Sequence, residues 1–507
     1  MKHVTLAAIA GIALLAARLT GTSAPQACES LLSLTAQNTT ITLAEVIPPN
    51  GFSRQASGPA QPAVTNSIAF CRVAATLTPS PDSDIKIEVW MPVSGWNGKF
   101  QAVGNGGWAG TISYPAMNEA LARGYATTST DTGHAVADGS FVLGHPEKFV
   151  DFAWRSVHEM TLRAKTIIEA FYGKPPRRSY WNGCSTGGRQ GLMEAQRFPA
   201  DYDGIIAGAS ANPRTRLNAA GLAMHQALWR NPASVIPDTK YRMIHDAVLD
   251  ACDAIDGVKD RLIQDPTRCH FNPDVLVCKA EDGPTCLTRP QAEAVATILS
   301  PVKTRGGVEI FPPREPGSEL GWGFLFAGAD PQPLVADTFR YVVYKDPKWD
   351  WRTFDLDRDV EKAEASPEVR IADAIDPNLQ PFVNRRGKLL MYHGWSDALV
   401  APLASISYYN NVLARMGGAA RSSEWIRLFM VPGMGHCRGG DGPNTFDTVS
   451  ALDDWVESGK PPERIVASHA SNGRVDRTRP LCPYPQVAVY KGSGSIDDAD
   501  NFSCRVR

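Results

Sequence analysis

The sequence predicts an α/β fold, and three observations carry the prediction. Two short apolar runs, Lys99–Val103 and residues 180–182, each end in a glycine cluster: Gly104-Asn105-Gly106-Gly107 and Gly183-Cys184-Ser185-Thr186-Gly187-Gly188. A strand that stops at glycines feeds a tight turn. A helical stretch follows the second cluster, and the strand–helix–strand alternation resumes near the C-terminus. The 507 residues are 43% hydrophobic and 21% charged, with 43 Gly and 38 Pro scattered along the chain. At ~150 residues per domain that is room for about three domains, or for one large domain with an insertion. A disordered chain and a small disulfide-stapled scaffold are both excluded.

The elements follow in order. Met1, Lys2 and His3 precede an apolar stretch over 4–17 and small residues from Gly21 to Ala24, the pattern of a secretory signal peptide, taken as residues 1–27. Arg18 blurs its cleavage site. The stretch is shorter than the ~20 residues of a spanning helix, and no second candidate follows, so the mature chain is expected to be soluble and secreted or periplasmic. Ten cysteines, at 28, 71, 184, 252, 269, 278, 286, 437, 482 and 504, form an even set, and five disulfides are expected of an exported chain. Lipidation of Cys28 is disfavoured by Pro25, where a lipobox carries Leu. Residues 192–196 suit a helix that Pro199 stops, and 202–208 suit the next strand. Residues 213–376 hold four of the cysteines, many Pro and Gly, and Trp322, Phe324, Phe326, Phe339, Trp349 and Trp351. They read as an inserted domain. Strands over 388–392 and 425–431 then flank a helix over 403–416 that Gly417-Gly418 closes. Residues 28–212 and 377–507 thus form the core, and 213–376 the insert.

Lys plus Arg number 51 against 53 Asp plus Glu, a net charge of −2, which gives no counterion-release drive toward nucleic acid. The chemistry lies in the glycine clusters. Gly183-Cys184-Ser185-Thr186-Gly187 matches G-x-S-x-G, whose small residues let the chain turn sharply enough to expose a serine hydroxyl above the sheet. A glycine-rich surface turn is the competing reading; the strand before and the helix after favour the elbow. A serine nucleophile needs a base, and His436 follows a strand within Gly433-Met434-Gly435-His436. Asp397, in His393-Gly394-Trp395-Ser396-Asp397, is placed to orient that imidazole, and the order Ser185, Asp397, His436 is that of an α/β-hydrolase core. His393 is kept as a candidate substrate contact. Ser185 and Asp397 lie roughly 200 residues apart, far beyond the ~30 per intervening βα unit, so the surplus reads as a lid over the strand ends. Cys184 precedes the nucleophile and Cys437 follows the base, so a disulfide between them would tie the two together. The oxyanion hole is expected from the N–H of Thr186 and from Gly106 or Gly107.

Gly183-Cys184-Ser185-Thr186-Gly187-Gly188, His393-Gly394-Trp395-Ser396-Asp397 and Gly433-Met434-Gly435-His436-Cys437 together resemble the tannase and feruloyl esterase family, which includes the mono(2-hydroxyethyl) terephthalate hydrolases. The resemblance spans nearly the whole mature chain. It implies an α/β-hydrolase core with a lid, a secreted serine esterase, and the pairings Cys28–Cys71, Cys252–Cys269, Cys278–Cys286 and Cys482–Cys504.

Asp253-Ala254-Ile255-Asp256-Gly257-Val258-Lys259-Asp260-Arg261-Leu262 places three acids around a glycine, a donor set for a hard cation such as Ca²⁺. Its spacing is not that of an EF-hand, and alone it leaves a solvated acidic turn equally open. The resemblance implies a structural calcium held by Asp253, Asp256, Asp260 and the carbonyls of Val258 and Leu262.

The expected activity is carboxylic ester hydrolysis through an acyl-enzyme on esters of phenolic acids such as ferulate or gallate. Alternatives are a terephthalate monoester hydrolase, a peptidase or amidase on the same fold, and a silent phenolic- or carbohydrate-binding protein. The terephthalate branch expects an aromatic three residues after the triad Asp, where this chain has Val400. Trp322, Phe324 and Phe326 are candidate stacking contacts for a planar acyl group.

Overall fold

The computed structural model describes residues 26–56 and 62–506; the expected signal segment falls outside them except for its last two residues. One sheet organises the chain. Its strands are β1 (Thr39–Ile47), β2 (Phe70–Leu77), β3 (Ile85–Pro92), β4 (Lys99–Val103), β5 (Ala126–Thr130), β6 (Arg178–Cys184), β7 (Gly204–Gly208), β8 (Lys388–Gly394) and β9 (Ile426–Val431). They lie in the order β1-β2-β3-β5-β4-β6-β7-β8-β9. The first strands pair antiparallel, as do β3 and β5; from β5 across to β9 every pairing is parallel. This is an α/β-hydrolase sheet.

Strands β4, β5 and β7 are buried at every residue, so both faces of the sheet need covering. Alternation along each strand sends neighbours to opposite faces. Trp181 and Ile205 join the cluster under helices α2 (Ser156–Tyr172), α3 (Thr186–Arg197) and α7 (Pro402–Arg415), with Met160, Leu192 and Val412. Tyr180 and Ile206 face the other way, onto α1 (Tyr114–Ala122) and α8 (Thr448–Ser458), through Ala120, Leu452 and Trp455. Strand β4 lies between β5 and β6, so the connections leaving β4 and β6 diverge, the place where open α/β sheets bind ligands. Both glycine clusters sit there.

The segment between β7 and β8 stays outside the sheet and contains α4 (Arg214–Trp229), α5 (Asp238–Cys252) and α6 (Arg289–Ile298). Its hydrophobic cluster is not its own. Leu222, Ile244, Trp322 and Phe339 share it with Trp108, Phe141, Phe149 and Phe152 from the core sequence. At its far end Ala374 C=O accepts from Gln196 Nε2 (2.9 Å) and Asn212 Nδ2 (2.7 Å), which fastens the insert back to the core. Disulfides join Cys28–Cys71, Cys184–Cys437, Cys252–Cys269, Cys278–Cys286 and Cys482–Cys504. No helix among the described residues is long and apolar enough to cross a membrane.

Candidate active site

Strand β6 ends at Cys184 and α3 begins at Thr186, leaving Ser185 alone at the turn with φ +62° and ψ −122°. A non-glycine residue in that region is strained, and its neighbours must be small to permit it. A Cβ on Gly183 would stand 2.5 Å from the Gly187 carbonyl oxygen, so glycine is required there. Ser185 N–H donates to Gly208 C=O (3.0 Å), and Ser185 C=O accepts from Ala211 N–H (3.0 Å) and Arg189 N–H (3.1 Å), which anchors the turn on both sides.

The glycine cluster after β4 is clamped to this turn. Gly187 N–H donates to Asn105 C=O (2.7 Å), and Thr186 Oγ1 to Gly107 C=O (2.6 Å). Asn105 is held by Gln190 and donates its amide to Thr111 C=O (3.0 Å) and Thr130 C=O (2.8 Å). Thr186 opens α3, where N–H groups lack intrahelical partners. Gly107 has φ +56°, and a Cβ there would lie 3.9 Å from Leu334 Cδ1, whereas one on Gly106 meets nothing within 4 Å. Leu334 lines the cavity that Ser185 and His436 share, so of the two glycines Gly107 is the one whose Cβ position reaches that wall.

Asp397 is wholly buried. Its Oδ1 accepts from Leu399 N–H (2.8 Å) and Val400 N–H (3.0 Å), and its Oδ2 from His436 Nδ1 (2.7 Å) and His393 Nε2 (3.0 Å). Burial pushes this carboxyl up, but the His436 charge and the bonds from both imidazoles outweigh it and hold the carboxyl well below its usual range. Two contacts lock the Asp397 and His436 loops together: Trp395 N–H donates to Val431 C=O (2.9 Å) and Ser396 N–H to Met434 C=O (2.9 Å). The Cys184–Cys437 bond, with Cα atoms 6.0 Å apart, joins the elbow to the histidine loop. A serine, an imidazole bonded through Nδ1 to a buried carboxylate, and backbone donors at a helix start can perform acyl transfer.

Four expected substrate contacts are corrected. His393 is buried behind Asp397, not in the cavity. Its Nε2 faces two acceptors, Asp397 Oδ2 and Val400 C=O (3.0 Å), so Nε2 carries a proton, and Nδ1 meets Ser405 Oγ (2.8 Å). Its place is to hold the carboxylate. Trp322 and Phe326 belong to the insert's packed interior, and Phe324 is 54% exposed to solvent. On this short helix, residues four apart share the inward face; Leu325, between them, is the one that lines the cavity.

The cavity wall is mostly aliphatic, with Leu217, Leu325, Leu334, Val335, Leu399 and Val400, but it also includes two buried arginines that the sequence did not single out. Arg314 donates from Nε to Ala398 C=O (3.1 Å) and from Nη2 to Leu399 C=O (3.2 Å), bracing the loop after Asp397. Arg214 lies over the rings of Trp108 (4.0 Å) and Phe152 (5.0 Å), and burial brings it down to about 9. No sequence period marked either one, since both act through packing between insert and core.

The acidic loop lies apart from this cavity. Asp253 Oδ1 accepts from Asp260 N–H (3.1 Å) and Leu262 N–H (3.3 Å), and Oδ2 from Arg261 N–H (2.9 Å). Asp256 accepts from Val258 N–H (2.8 Å), and Asp260 Oδ2 from Arg479 Nη2 (2.5 Å). The donors are all oxygens, and Asp253 and Asp260 are both buried. Burial and the nearby Asp253 raise the Asp260 carboxyl, against the pull of Arg479 and Arg477. Backbone N–H groups and Arg479 already meet oxygens of Asp253 and Asp260, and the donor set, all oxygen, is the kind a hard cation takes.

Sheet order and site together define an α/β-hydrolase built for ester chemistry. The family model "Tannase and feruloyl esterase" matches residues 71–505. An esterase of Xanthomonas campestris pv. campestris is 37% identical over 97% of this chain and 93% of its own length. The "Probable feruloyl esterase B-2" of Neosartorya fischeri is 35% identical over 86% of this chain and 87% of its own. Feruloyl esterase B from Aspergillus oryzae superposes with a TM-score of 0.88 at 31% identity, covering 94% of this chain and 99% of that one. The tannin acyl hydrolase of Aspergillus niger, at 22% identity and a TM-score of 0.77, shares the fold. The chain belongs to the tannase and feruloyl esterase family and is a carboxylic ester hydrolase.

Proposed function

We propose that the chain is an exported serine esterase of phenolic-acid esters. Ser185 attacks the ester carbonyl, His436 takes the hydroxyl proton and returns it to the leaving alcohol, and Asp397 orients and stabilises the imidazolium. The N–H groups of Thr186 and Gly107 receive the oxyanion, and water then releases the acid. The observation that carries this reading is the 2.7 Å bond from His436 Nδ1 to Asp397, which assigns Nε2 the role of base, with Ser185 lining the same cavity as His436. Feruloyl esterase relatives on both the sequence and the structure side support an aromatic acyl group. Val400 on the cavity wall leaves terephthalate monoesters behind ferulate and gallate. Five disulfides support export to an oxidising compartment. Calcium held by Asp253, Asp256, Asp260 and the Val258 and Leu262 carbonyls belongs to the same proposal, as a structural ion.

Profiling the pure enzyme on methyl ferulate, methyl gallate, the hydroxyethyl terephthalate monoester and a phenolic amide tests it. Ferulate or gallate should lead, the amide should survive, and a serine-directed inhibitor should stop turnover. Preference for the terephthalate ester, or insensitivity to the inhibitor, overturns the assignment.

A further inference from the structure

Behind the nucleophile helix lies a cluster that the reaction does not use. Glu194 on α3, Asp201 in the turn before β7 and His158 on α2 each bring one ligand atom to a common space, and the three atoms lie within 4.8 Å of one another. Glu194 stands about two turns along α3 from Ser185, so the cluster touches no reacting atom.

Glu194 is 1% exposed, and Asp201 is buried beside it. Among the described residues, neither Glu194 oxygen meets a hydrogen-bond donor. The nearby donors are engaged elsewhere: Lys165 Nζ donates to the Asp201 carbonyl, and the Tyr202 hydroxyl pairs with Thr161 Oγ1. Asp201 Oδ2 has a partner, His158 Nδ1 at 2.7 Å. Two carboxylates against one ammonium leave a net negative charge out of water. A buried carboxylate without a donor needs a proton or a cation to neutralise it.

The surroundings suit a cation. An imidazole nitrogen with two carboxylate oxygens is a set that zinc takes at ~2.0–2.2 Å, whereas the all-oxygen acidic loop suits calcium. The His158 ring is fixed by stacking on Phe198, with centroids 3.8 Å apart and planes 12° from parallel. Its side chain is 22% exposed, which gives an ion a way in and leaves a fourth position to water. We propose that Glu194, Asp201 and His158 form a structural site for a borderline divalent cation, zinc first, which ties α2 to α3 and to the turn before β7.

The test titrates the full chain with Zn²⁺ by calorimetry in a calcium-containing buffer, beside Glu194→Gln. Glutamine keeps the shape of the side chain but is a poor ligand. Wild type should bind one more Zn²⁺ than the variant. Its thermal midpoint should rise by roughly 2 °C at a hundredfold excess of Zn²⁺ over Kd, and the variant should lack that rise. Co²⁺ as the probe should give the visible absorption of a tetrahedral centre in the wild type alone. Zinc that reaches His436 binds wild type and variant alike and drops out of the difference. His158→Gln, at a partly exposed position, supplies the same comparison if Glu194→Gln fails to fold. Equal zinc stoichiometry in wild type and variants overturns the site. So does a Glu194→Gln chain as stable as the wild type whose midpoint answers zinc identically. Burial and Asp201 push the Glu194 carboxyl up, and that result would mean the two carboxyls share a proton that glutamine replaces.

Discussion

Ser185 occupies a backbone conformation that L-residues rarely adopt, and everything around it is arranged to permit that. Gly183 and Gly187 leave no side chain in the way, and Gly208 and Ala211 hold the turn by hydrogen bonds. The strain belongs to the backbone, so removing the hydroxyl leaves it in place. Ser185→Ala should therefore reduce ester turnover to below a few per cent of wild type while leaving the thermal midpoint nearly unchanged. Steady-state kinetics beside a thermal melt checks both halves; substantial residual kcat in a normally folded variant would remove Ser185 from its role. G-x-S-x-G is a local signal, and so is the order of Ser, Asp and His along the chain, which is why these residues were legible in the sequence. His393 was legible as a residue but not in its role. Only the fold shows that its imidazole lies behind Asp397, bonded to the carboxylate and to Val400 C=O.

At the scale of elements, the site is a junction of loops from β6, β8 and β9, and two devices hold it. The first is the Cys184–Cys437 bond, which spans 253 residues of sequence. Loop-closure entropy alone assigns such a tether roughly 4 to 5 kcal/mol, a model-dependent upper range. Its effect on rate should be plainer, since a displacement of about 1 Å between reacting groups can cost ~100-fold. Replacing both cysteines with Ser should leave a chain that folds on its remaining disulfides but turns over roughly tenfold or more slowly. A fully active double variant would make the adjacency accidental. The second device is His245 on α5, which bonds the buried Glu319 of the insert (2.8 Å) and Asp441 Oδ2 of the histidine loop (3.1 Å), the same oxygen that accepts from Arg242 Nη1 (3.3 Å). Burial opposes its charge, but the bonds to Asp441 and Glu319 prevail and raise it to about 9. A raised histidine contributes stability that is complete below its ordinary value of 6.5 and lost as pH climbs through about 9. The thermal midpoint should fall across that window, and His245→Gln should flatten the decline; parallel wild-type and variant curves would rule the latch out.

Over the whole molecule, the sequence marked β4, β6, β7, β8 and β9, left β1, β2, β3 and β5 unread, and missed how the insert is seated on the sheet. Apolar runs and glycine punctuation mark strands wherever they occur, and β4, β8 and β9 lie within a residue or two of their expected places. The aromatics of the insert carried no such direction. Trp322 and Phe326 pack inward, Phe324 faces solvent, and the insert's core merges with Phe141, Phe149 and Phe152 of the main domain. Composition shows that aromatics are present; only packing decides which side they cover. The acidic loop is likewise a junction between parts. It follows Cys252 at the end of α5, it is pinned to the C-terminal hairpin by Arg477 and Arg479 on Asp260, and its Leu262 reaches Gly433 in the histidine loop. A cation bound there would stabilise the folded chain by mass action and, through Leu262, steady the loop that carries His436. Metal analysis of the purified protein should thus find calcium, and a chelator should lower the thermal midpoint and slow ester turnover together, with both restored by added Ca²⁺. Asp256→Asn, which leaves the Asp260–Arg479 pair intact, should weaken that recovery. Calcium-free protein with an unmoved melt would mean that the three acids are a turn held by its own backbone N–H groups, as the bonds from residues 258 and 260–262 already permit.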